Sequence, residues 1–513
     1  MKNKIIIATS LLLITLPGFA EIKSVGGYQV DTESLCAGYP KVSLKTNSDH
    51  CVGLVITEED GLKRPRRILA LPRGGFIITD MKGWAKNAGM VWRLDPETKK
   101  LTKVFSKVDH AHGLALGLDG LVYVGTRSSI FRFDPALSTP TKEVIINDLP
   151  EEGKHPLTHF IFDQNQDLIV NVGAPSDQCL DDKKKPQYPC PESTGQNPEA
   201  ALRKYSKNSN YKNYTILARG LRNSMALAIH PQTQQLFQGE NGMDFKELET
   251  PLEEINLITE GKHYGWPYCY EEGLLNPKYK RSFFNRDLPR NCNDFTSPIA
   301  HLPAHSAPLD MLFYSGQMFP ELNGKLIVSL HGYRETGHRI VSLDVSDEGL
   351  PLEDTKKELV TNWTAESGLT PKGAPVGMTI DAKGNIWVVE DKNKTVLVYS
   401  KGNASNVDTD SQNPPGPQEI KLSPDQEVVF KEINDQIFQN SCMGCHDWFE
   451  GTAQEIVNRL AADKIIDIND LENSPLIQRI SGTEMGPQMP IGNSALNNEE
   501  IKKVKEFIDS LKL

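Results

Sequence analysis

An alternation of apolar and polar residues, interrupted by a tight polar turn, recurs six times in the first 400 residues of this 513-residue chain. Short alternating runs are typical of β-strands, and a Gly-rich or polar break between two such runs is typical of a hairpin turn. Most of the hairpins are followed by a further alternating segment, as at residues 90–96 and 395–400. The pattern therefore predicts six hairpins, at residues 68–80, 114–126, 160–172, 227–239, 312–330 and 378–390.

Six similar all-β units predict a six-bladed β-propeller, in which each unit forms one blade around a central channel. A generic β-sandwich is the alternative, but six recurrences of one hairpin pattern favour the propeller. No long helical pattern precedes residue 420. We therefore assign residues 21–400 to an all-β six-bladed propeller.

The pattern changes after residue 400. Residues 401–424 are polar and rich in Pro, Asn and Asp, which is the composition of a linker. From Asp425 onward, apolar residues recur at helical spacing, as in residues 425–438, 452–462 and 497–513. Residues 425–513 are therefore expected to form a small all-α domain.

The first 20 residues have the features of a secretory signal peptide. Lys2 and Lys4 precede an apolar run over residues 5–16, and a small-residue cleavage site follows at residues 17–20. A membrane anchor is the alternative, but a spanning helix needs ~20 apolar residues, more than this run supplies. We therefore expect cleavage of residues 1–20 and export to the periplasm, where disulfides persist.

The overall charge narrows the range of partners. The chain has 56 Lys and Arg against 67 Asp and Glu, a formal net charge of −11. An acidic chain without a basic block is poorly suited to nucleic acid. We therefore expect a small-molecule ligand and no nucleic-acid partner.

Two of the eight cysteines form a c-type haem attachment motif in the predicted helical domain. The thiols of Cys442 and Cys445 would bind the haem covalently, and the adjacent His446 would ligate the iron. A zinc or redox CxxC pair leaves the histidine unexplained, and the domain has no other Cys or His. Met489, which precedes a proline, is the favoured second axial ligand over Met485. His/Met ligation suits electron transfer.

The other six cysteines are expected to form disulfides, as is common in exported proteins. Six cysteines allow 15 pairings, so the sequence alone does not fix the connectivity. Proximity along the chain suggests the pairs Cys36–Cys51, Cys179–Cys190 and Cys269–Cys292.

In a propeller, the loops that lead into the innermost strands surround one opening of the channel, which we call the mouth. Basic and imidazole side chains dominate these loops, and carboxylates are nearly absent from them. Clustered positive charge is unfavourable unless an anion offsets it. The mouth is therefore predicted to bind a polyanionic ligand through residues such as Arg64–Arg67, His110, His112, His155, His159, Arg222, Asn223, His305 and Lys372.

Several separated motifs resemble the soluble quinoprotein sugar dehydrogenases, the sorbosone and glucose dehydrogenase family. They are GLRNSMALAIHP (220–231), EEINLITEGKHYGWPYCYEEG (253–273), HPLTHFIFDQNQDLIVNVGAPSDQC (155–179), HGYRETGHRIV (331–341) and KGAPVGMTIDAKGNIWVVEDKNKTV (372–396). The family folds as six-bladed propellers around pyrroloquinoline quinone (PQQ). PQQ carries three carboxylates, which agrees with the basic mouth.

The resemblance implies a role for each matching position. His155 would be the general base, with His159 as the rival candidate. Arg222 and Asn223 would hold the quinone oxygens. The main-chain carbonyls of Gly242 and Met243 would ligate Ca²⁺. Further cofactor contacts would come from His331, Arg334 and Arg339, although some relatives have Lys where this chain has His331.

Together these observations predict a periplasmic quinohaem oxidoreductase. It would oxidise a sugar, a polyol or a related alcohol or aldehyde with PQQ, and pass the electrons to haem c and then to a respiratory acceptor. Two alternatives stay open. One is a calcium-dependent propeller lactonase, which would need carboxylates around the channel metal. The other is a non-catalytic sugar-binding protein that carries an electron-transfer module.

Overall fold

The computed structural model describes residues 22–25, 28–281, 287–332, 334, 336–363, 373–402, 420–438, 451–462, 465–466, 468, 471, 474–481 and 496–511. Within these residues, strands occupy the part of the chain up to residue 401 and α-helices the part from residue 424. The predicted order, a β part followed by an α part, is therefore present in the described residues.

The N-terminal strands precede the first predicted hairpin. They are β1 (Ile22–Val25), β2 (Tyr28–Cys36), β3 (Tyr39–Val42), β4 (Lys45–Thr46) and β5 (His50–Ile56).

Among the described residues, five sheets have the form of propeller blades, and all but the fourth contain four consecutive strands. Blade 1 is β6 (Pro65–Ala70), β7 (Phe76–Asp80), β8 (Gly89–Asp95) and β9 (Lys100–Val108); blade 2 is β10 (Leu114–Leu116), β11 (Val122–Gly125), β12 (Ile130–Phe133) and β13 (Glu143–Ile146). Blade 3 is β14 (Phe160–Phe162), β15 (Leu168–Val172), β16 (Ala201–Tyr205) and β17 (Tyr214–Arg219). Blade 4 is β18 (Ala226–Ile229), β19 (Leu236–Glu240), β20 (Glu253–Ile258) and, after the short strands β21 (Lys262–His263), β22 (Cys269–Tyr270) and β23 (Leu274–Leu275), β24 (Ala300–Leu302). Blade 5 is β25 (Pro308–Phe313), β26 (Leu326–Leu330), β27 (Arg339–Val345) and β28 (Pro351–Thr361).

The expected sixth blade differs from the other five and corrects the prediction of six alike units. Its hairpin is present as β29 (Pro375–Ile380) and β30 (Ile386–Glu390), followed by β31 (Thr395–Lys401). Strand β5 then pairs antiparallel with β31, and the sheet continues through β3, β2 and β1 to seven strands. The described residues thus form five blades of this kind, and a composite sheet that joins both ends of the β part.

The packing of β7 shows why its hydrophobic residues run consecutively. Ile77 and Ile78 point to opposite faces of blade 1, and both are fully buried. Ile77 packs in a cluster with residues of blade 2, such as Val122, whereas Ile78 packs with Trp387 of the composite sheet. Each such side chain contributes roughly 1.5–3 kcal/mol on burial, so the contacts between neighbouring sheets stabilise the ring.

The same hydrogen-bonding arrangement recurs at the end of the second strand of several sheets. A carboxylate or amide there accepts hydrogen bonds from main-chain N–H groups of the loop that leads into the first strand. Asp80 accepts from Arg64 N at 2.8 Å, and Glu240 accepts from Arg222 N at 2.6 Å. These clamps fix the loops of the mouth, and the side chains that form them are Asp80, Asn171, Glu240 and Glu390.

The α part has its own apolar core. Its helices are α1 (Pro424–Ile433), which continues into a π-helical turn at Asn434–Phe438, α2 (Ala453–Ala462), α3 (Pro475–Ser481) and α4 (Asn498–Ser510). Ser423 and Asn497 begin α1 and α4 with capping boxes, which satisfy the exposed N–H groups of the first turn. Phe430 and Phe507 pack against each other in the core with ring centroids 5.1 Å apart.

Several predictions fall on residues outside the described ones. They are the signal peptide (1–20), Lys372 of the predicted mouth, most of the linker (401–424) and the haem motif with Cys442, Cys445, His446, Met485 and Met489. None of the described helices has the length and apolar character of a membrane span.

The three suggested disulfides are confirmed. Cys36–Cys51, Cys179–Cys190 and Cys269–Cys292 have Cα–Cα separations of 5.8, 6.1 and 5.9 Å. The last two lie in one cluster with Trp266, Tyr268 and Tyr279, which supports the long insertion between β15 and β16.

Candidate active site

His155 lies in the loop that leads into β14, at the mouth. Its Nδ1 is 2.6 Å from the carbonyl oxygen of Ala174. Because a carbonyl only accepts, Nδ1 carries the proton of the neutral ring, and Nε2 is its acceptor atom. Gly173 allows this approach, since a Cβ there would lie 2.5 Å from the His155 carbonyl oxygen.

The surroundings of His155 keep its ring neutral. Burial, and then the nearby Arg222 guanidinium, lower the pKa of His155 to about 3. The ring lines a cleft with about 10 Å³ of free volume, which is room for about one water. A neutral imidazole with one fixed N–H and one acceptor nitrogen is equipped to accept a proton from a hydroxyl group.

Arg222 lies beside His155, and Ala174 connects the two residues. The Ala174 N–H donates to the Arg222 carbonyl at 2.7 Å, while the Ala174 carbonyl accepts from His155. Arg222 is 4% exposed. Its Nε donates to Asp177 Oδ1 at 2.9 Å, and its two terminal nitrogens donate to Asn241 O at 3.0 Å and to Asp244 Oδ2 at 2.9 Å.

These partners fix the guanidinium of Arg222, and one of them is exposed enough for a ligand to replace it. Burial opposes the charge of Asp177, but Arg222 together with hydrogen bonds from Asp244 N and Gln178 lowers the pKa of that carboxyl. The side chain of Asp177 is 15% exposed, whereas that of Asp244 is 75% exposed. An anionic ligand could therefore replace Asp244 as a partner of Arg222 without disturbing Asp177.

Asn223 and Asn241 place two oxygen atoms at the site. Asn223 Oδ1 and Asn241 Oδ1 are both buried, and neither has a hydrogen-bond partner among the described residues. A buried oxygen without a partner is unfavourable unless a ligand or a cation supplies one. Calcium prefers oxygen ligands of this kind. The two amides therefore fit a site that holds an oxygen-ligated cation or a hydrogen-bonding cofactor.

The neighbouring Gly242 and Met243 lie in the loop after β19. The Gly242 N–H donates to Glu253 Oε2 at 2.5 Å, and the Met243 carbonyl accepts from Phe245 N at 2.9 Å. Met243 itself is buried, and its sulfur lies 3.2 Å from Asn276 Nδ2. The described residues contain no cluster of three His, Cys, Asp or Glu side chains arranged to hold a metal.

His331 occupies another part of the mouth, at the end of β26. Its Nε2 lies 2.9 Å from Asp391 Oδ1, and Arg66 donates to Asp391 Oδ2 at 2.6 Å. Burial lowers the pKa of His331, which Asp391 only partly opposes. Burial also disfavours the charged form of Asp391, but His331 and Arg66 together lower its pKa. His331 and Arg66 are thus held by one shared carboxylate.

The two further arginines have different surroundings. Arg334 donates to the carbonyls of Phe245 and Glu247 at 3.3 and 3.2 Å, so it ties a loop of blade 5 to the loop of Gly242. Arg339 instead forms an ion pair with Glu358 of the outer strand β28. The structure therefore brings Arg334 to the mouth and places Arg339 along the blade.

Beneath the mouth, the channel is crossed by Arg67 of blade 1. Arg67 donates to the carbonyls of Met225 and Leu309 at 2.6 and 2.7 Å, and pairs with Asp310 at 2.5 Å. His112 and His159 lie next to each other there, with ring centroids 6.3 Å apart. Burial lowers the pKa of both imidazoles far below the ordinary value. His159 is thus a channel residue, whereas His155 lines a cleft.

The mouth contains carboxylates that the sequence analysis did not assign to it. Asp177, Asp310 and Asp391 neutralise much of the charge of Arg222, Arg67 and Arg66. Asp177 and Asp391 lie in loops that follow second strands, and Asp310 lies in β25, the first strand of blade 5; none of the three is in a loop that leads into a first strand. A usable signal was present in the acidic residues that end hairpins, as in residues 80, 240 and 390–391.

The TrAA12-like family matches residues 47–402. The chain belongs to the TrAA12-like family.

All mouth residues described above lie within this TrAA12-like match, whereas the helices from residue 424 lie outside it. An uncharacterized protein of Borreliella burgdorferi is 31% identical over 243 residues, which are 46% of this chain. The match spans 58% of the length of that relative.

Solved structures of low sequence identity share the TrAA12-like fold. The iodide structure of a Trichoderma reesei Carbohydrate-Active Enzymes Family AA12 protein has a TM-score of 0.54 at 18% identity, covering 72% of this chain and 100% of that one. The holo form of the pyranose dehydrogenase PQQ domain from Coprinopsis cinerea has a TM-score of 0.55 at 19% identity, covering 71% and 98%. At these identities the likeness establishes the fold.

Proposed function

We propose that this TrAA12-like protein is a PQQ-dependent saccharide oxidoreductase that passes electrons to a haem in the same chain. The observation that carries the proposal is the cluster of His155, Arg222 and Asn223. It combines a neutral imidazole with an acceptor nitrogen, a fixed guanidinium and a buried oxygen without a described partner. The PQQ domain of the Coprinopsis cinerea pyranose dehydrogenase and the calcium structure of the Trichoderma reesei AA12 protein support it by analogy of fold.

His155 would remove the proton from the substrate hydroxyl. Its Nε2 accepts that proton, while the hydrogen bond from Nδ1 to Ala174 keeps the ring oriented. Bound PQQ would supply the two-electron acceptor of the reaction. Arg222 would hold the quinone oxygens and stabilise negative charge there, because its guanidinium is fixed before the reaction begins.

A calcium ion would be bound next to this cluster. The oxygen atoms that would hold it are the main-chain carbonyls of Gly242 and Met243. The buried side-chain oxygens of Asn241, which precedes Gly242, and of Asn223, whose carbonyl accepts from Asn241 N at 3.2 Å, would be further candidates. The remaining sides of the cofactor would be lined by Arg334, His331 and Arg66. Arg339, which pairs with Glu358, has the weakest claim of the predicted contacts.

The remaining predictions belong to the same proposal. Residues 1–20 would direct export to the periplasm, and the composite sheet would act as the sixth blade. Cys442 and Cys445 would bind haem c, with His446 and Met489 as iron ligands, and a respiratory acceptor would take the electrons. Haem attachment is testable by the mass increase of the purified chain, which should vanish in Cys442→Ala/Cys445→Ala.

Dye-linked oxidation tests the enzyme activity separately from the haem. The exported protein would be incubated with PQQ, Ca²⁺, an artificial electron acceptor and a panel of aldoses and alcohols. We expect saccharide-dependent dye reduction that requires PQQ. Lactone opening without PQQ, or no oxidation of any saccharide, would reject the proposal.

A further inference from the structure

An exposed tryptophan lies at the mouth, where no part of the proposed chemistry uses it. Trp84 belongs to the loop between β7 and β8, and it is 49% exposed. Its indole ring lies against His110, with ring centroids 5.8 Å apart. Since His110 is in the loop that leads into β10, the contact places Trp84 at the mouth end of the propeller.

The loop that carries Trp84 is anchored. The Lys82 N–H donates to Asp80 Oδ1 at 2.8 Å, and the Asn87 N–H donates to Asp109 Oδ1 at 3.2 Å. Asp109 Oδ1 also lies 2.6 Å from His110 Nδ1, so one carboxylate positions both the loop and the histidine beneath the indole. An aromatic ring held this way loses little conformational entropy when a ligand binds.

Contacts between loops connect Trp84 to the cleft of His155. Lys86 Nζ lies 3.6 Å from Glu151 Oε2, which joins the tryptophan loop to the loop before β14. The Glu151 carbonyl accepts from Arg127 Nε, and Arg127 lines the cleft together with His155. Trp84 and His155 therefore lie on one continuous surface, with Arg127 and Glu151 between them.

The surface between the two residues is polar. Lys86, Asn87, Asp109, Arg127 and Glu152 offer donors and acceptors there. A half-exposed tryptophan surrounded by polar groups suits a ligand with apolar C–H faces and a rim of hydroxyls, because the indole covers the faces and the polar groups bind the rim. A pyranose ring has this character.

We infer that Trp84 forms a second sugar subsite, which binds a ring of the saccharide other than the one oxidised at His155. The substrate class is then a disaccharide or longer saccharide, and not a free monosaccharide alone. This inference rests on the proposed function for the reacting ring. The subsite itself is a binding site and can be measured without turnover.

Titration calorimetry of the full chain tests the subsite directly. The probes are maltose, cellobiose and lactose, with glucose as the monosaccharide reference. We expect Trp84→Ala to raise the Kd of at least one disaccharide about tenfold, the size of effect that removal of one aromatic anchor has in a binding site. The Kd of glucose should change less than twofold. The disaccharide Kd of Trp84→Phe should lie between the values of the wild type and Trp84→Ala.

Leu118→Ala is the matched control. Leu118 is 82% exposed and lies in the turn between β10 and β11, at the opposite end of blade 2. It should leave every Kd unchanged. Equal disaccharide affinity of the wild type and Trp84→Ala, or no disaccharide binding at all, would overturn the inference. If binding depends on Trp84 but no saccharide is oxidised, the proposed function fails and the subsite stands.

Discussion

At the scale of single residues, the candidate site depends on partners that fix the state of each reactive group. Ala174 fixes the tautomer of His155, and Asp177 fixes the guanidinium of Arg222. The basic residues were predictable because each lies beside an innermost strand. Their carboxylate partners were not, because an ion pair such as Arg67–Asp310 joins strands of different blades.

Loss of His155 should strongly slow turnover without unfolding the protein. We expect His155→Ala to lower kcat/KM for a saccharide by ~10²–10⁴, the usual contribution of a general base. His159→Asn is the comparison, because His159 is buried in the channel. His159→Asn should lower the thermal stability and should reduce kcat less than His155→Ala does. An equal loss of kcat in both variants would contradict the assignment.

The pH profile should also report the environment of His155. Because its pKa in the folded protein is about 3, the imidazole is already neutral throughout the range from pH 5 to pH 7. Its protonation should therefore produce no acid limb in kcat/KM between those values. An inflection near 6.5, the ordinary pKa of histidine, would show that the base is a more exposed group.

At the scale of elements, local pattern predicted the hairpins, and long-range pairing escaped it. The six hairpins were predictable because alternation and turn residues act within a few positions. The strand that pairs with β31 was not predictable, because Leu397 of β31 pairs with Leu54 from the other end of the β part. The packing of the insertion between β15 and β16 was not predictable either. Its Asp177 carbonyl accepts a hydrogen bond from Trp266 Nε1, which is distant in sequence.

The disulfide of this insertion should affect substrate binding through Asp177. Cys179 is two residues from Asp177, and Cys190 N donates to the Tyr268 hydroxyl at 2.6 Å. We expect Cys179→Ala/Cys190→Ala to raise KM several-fold and to expose residues 180–189 to protease. The free energy of unfolding should fall by ~2–3 kcal/mol. Steady-state kinetics and limited proteolysis measure the two effects.

Cys36→Ala/Cys51→Ala is the control for that variant. This bridge lies in the N-terminal strands and not in the insertion. Its removal should lower the melting temperature and leave KM unchanged. A similar rise of KM in both variants would mean that the effect is general destabilisation.

At the scale of the whole molecule, β5 should be needed to close the ring. It pairs with β31 over most of its length, and its Leu54 and Val52 are buried in the core beside the composite sheet. A chain that starts at residue 58 should not fold, whereas a chain that starts at residue 28 should. Circular dichroism after export behind the same signal compares them. Cooperative unfolding of the shorter chain would disprove the role of β5.

Buried carboxylates should make the stability fall as the pH rises. Burial, and then Glu240 and Glu253, raise the pKa of Glu254 to about 8 from the usual 4.5. The folded state then retains a proton that the unfolded state has lost, so stability present below pH 4.5 is lost as the pH approaches 8.

Glu254→Gln should therefore reduce the slope of unfolding free energy against pH between pH 6 and pH 8, by up to about 1.4 kcal/mol per pH unit. Urea unfolding at several pH values measures the slope. Glu260→Gln, at an exposed position two residues after β20, should leave it unchanged. An unchanged slope in Glu254→Gln would show that Glu254 is ionised in the folded protein.

Haem reduction by substrate tests the central claim, that oxidation at the mouth supplies electrons to a haem in the same chain. The exported full-length protein would be mixed anaerobically with PQQ, Ca²⁺ and a saccharide, and the haem α-band followed, with dithionite as the positive control. The account predicts an α-band that needs both PQQ and saccharide and that develops ~10²–10⁴ times more slowly in His155→Ala. A haem that dithionite reduces but no saccharide does would contradict it.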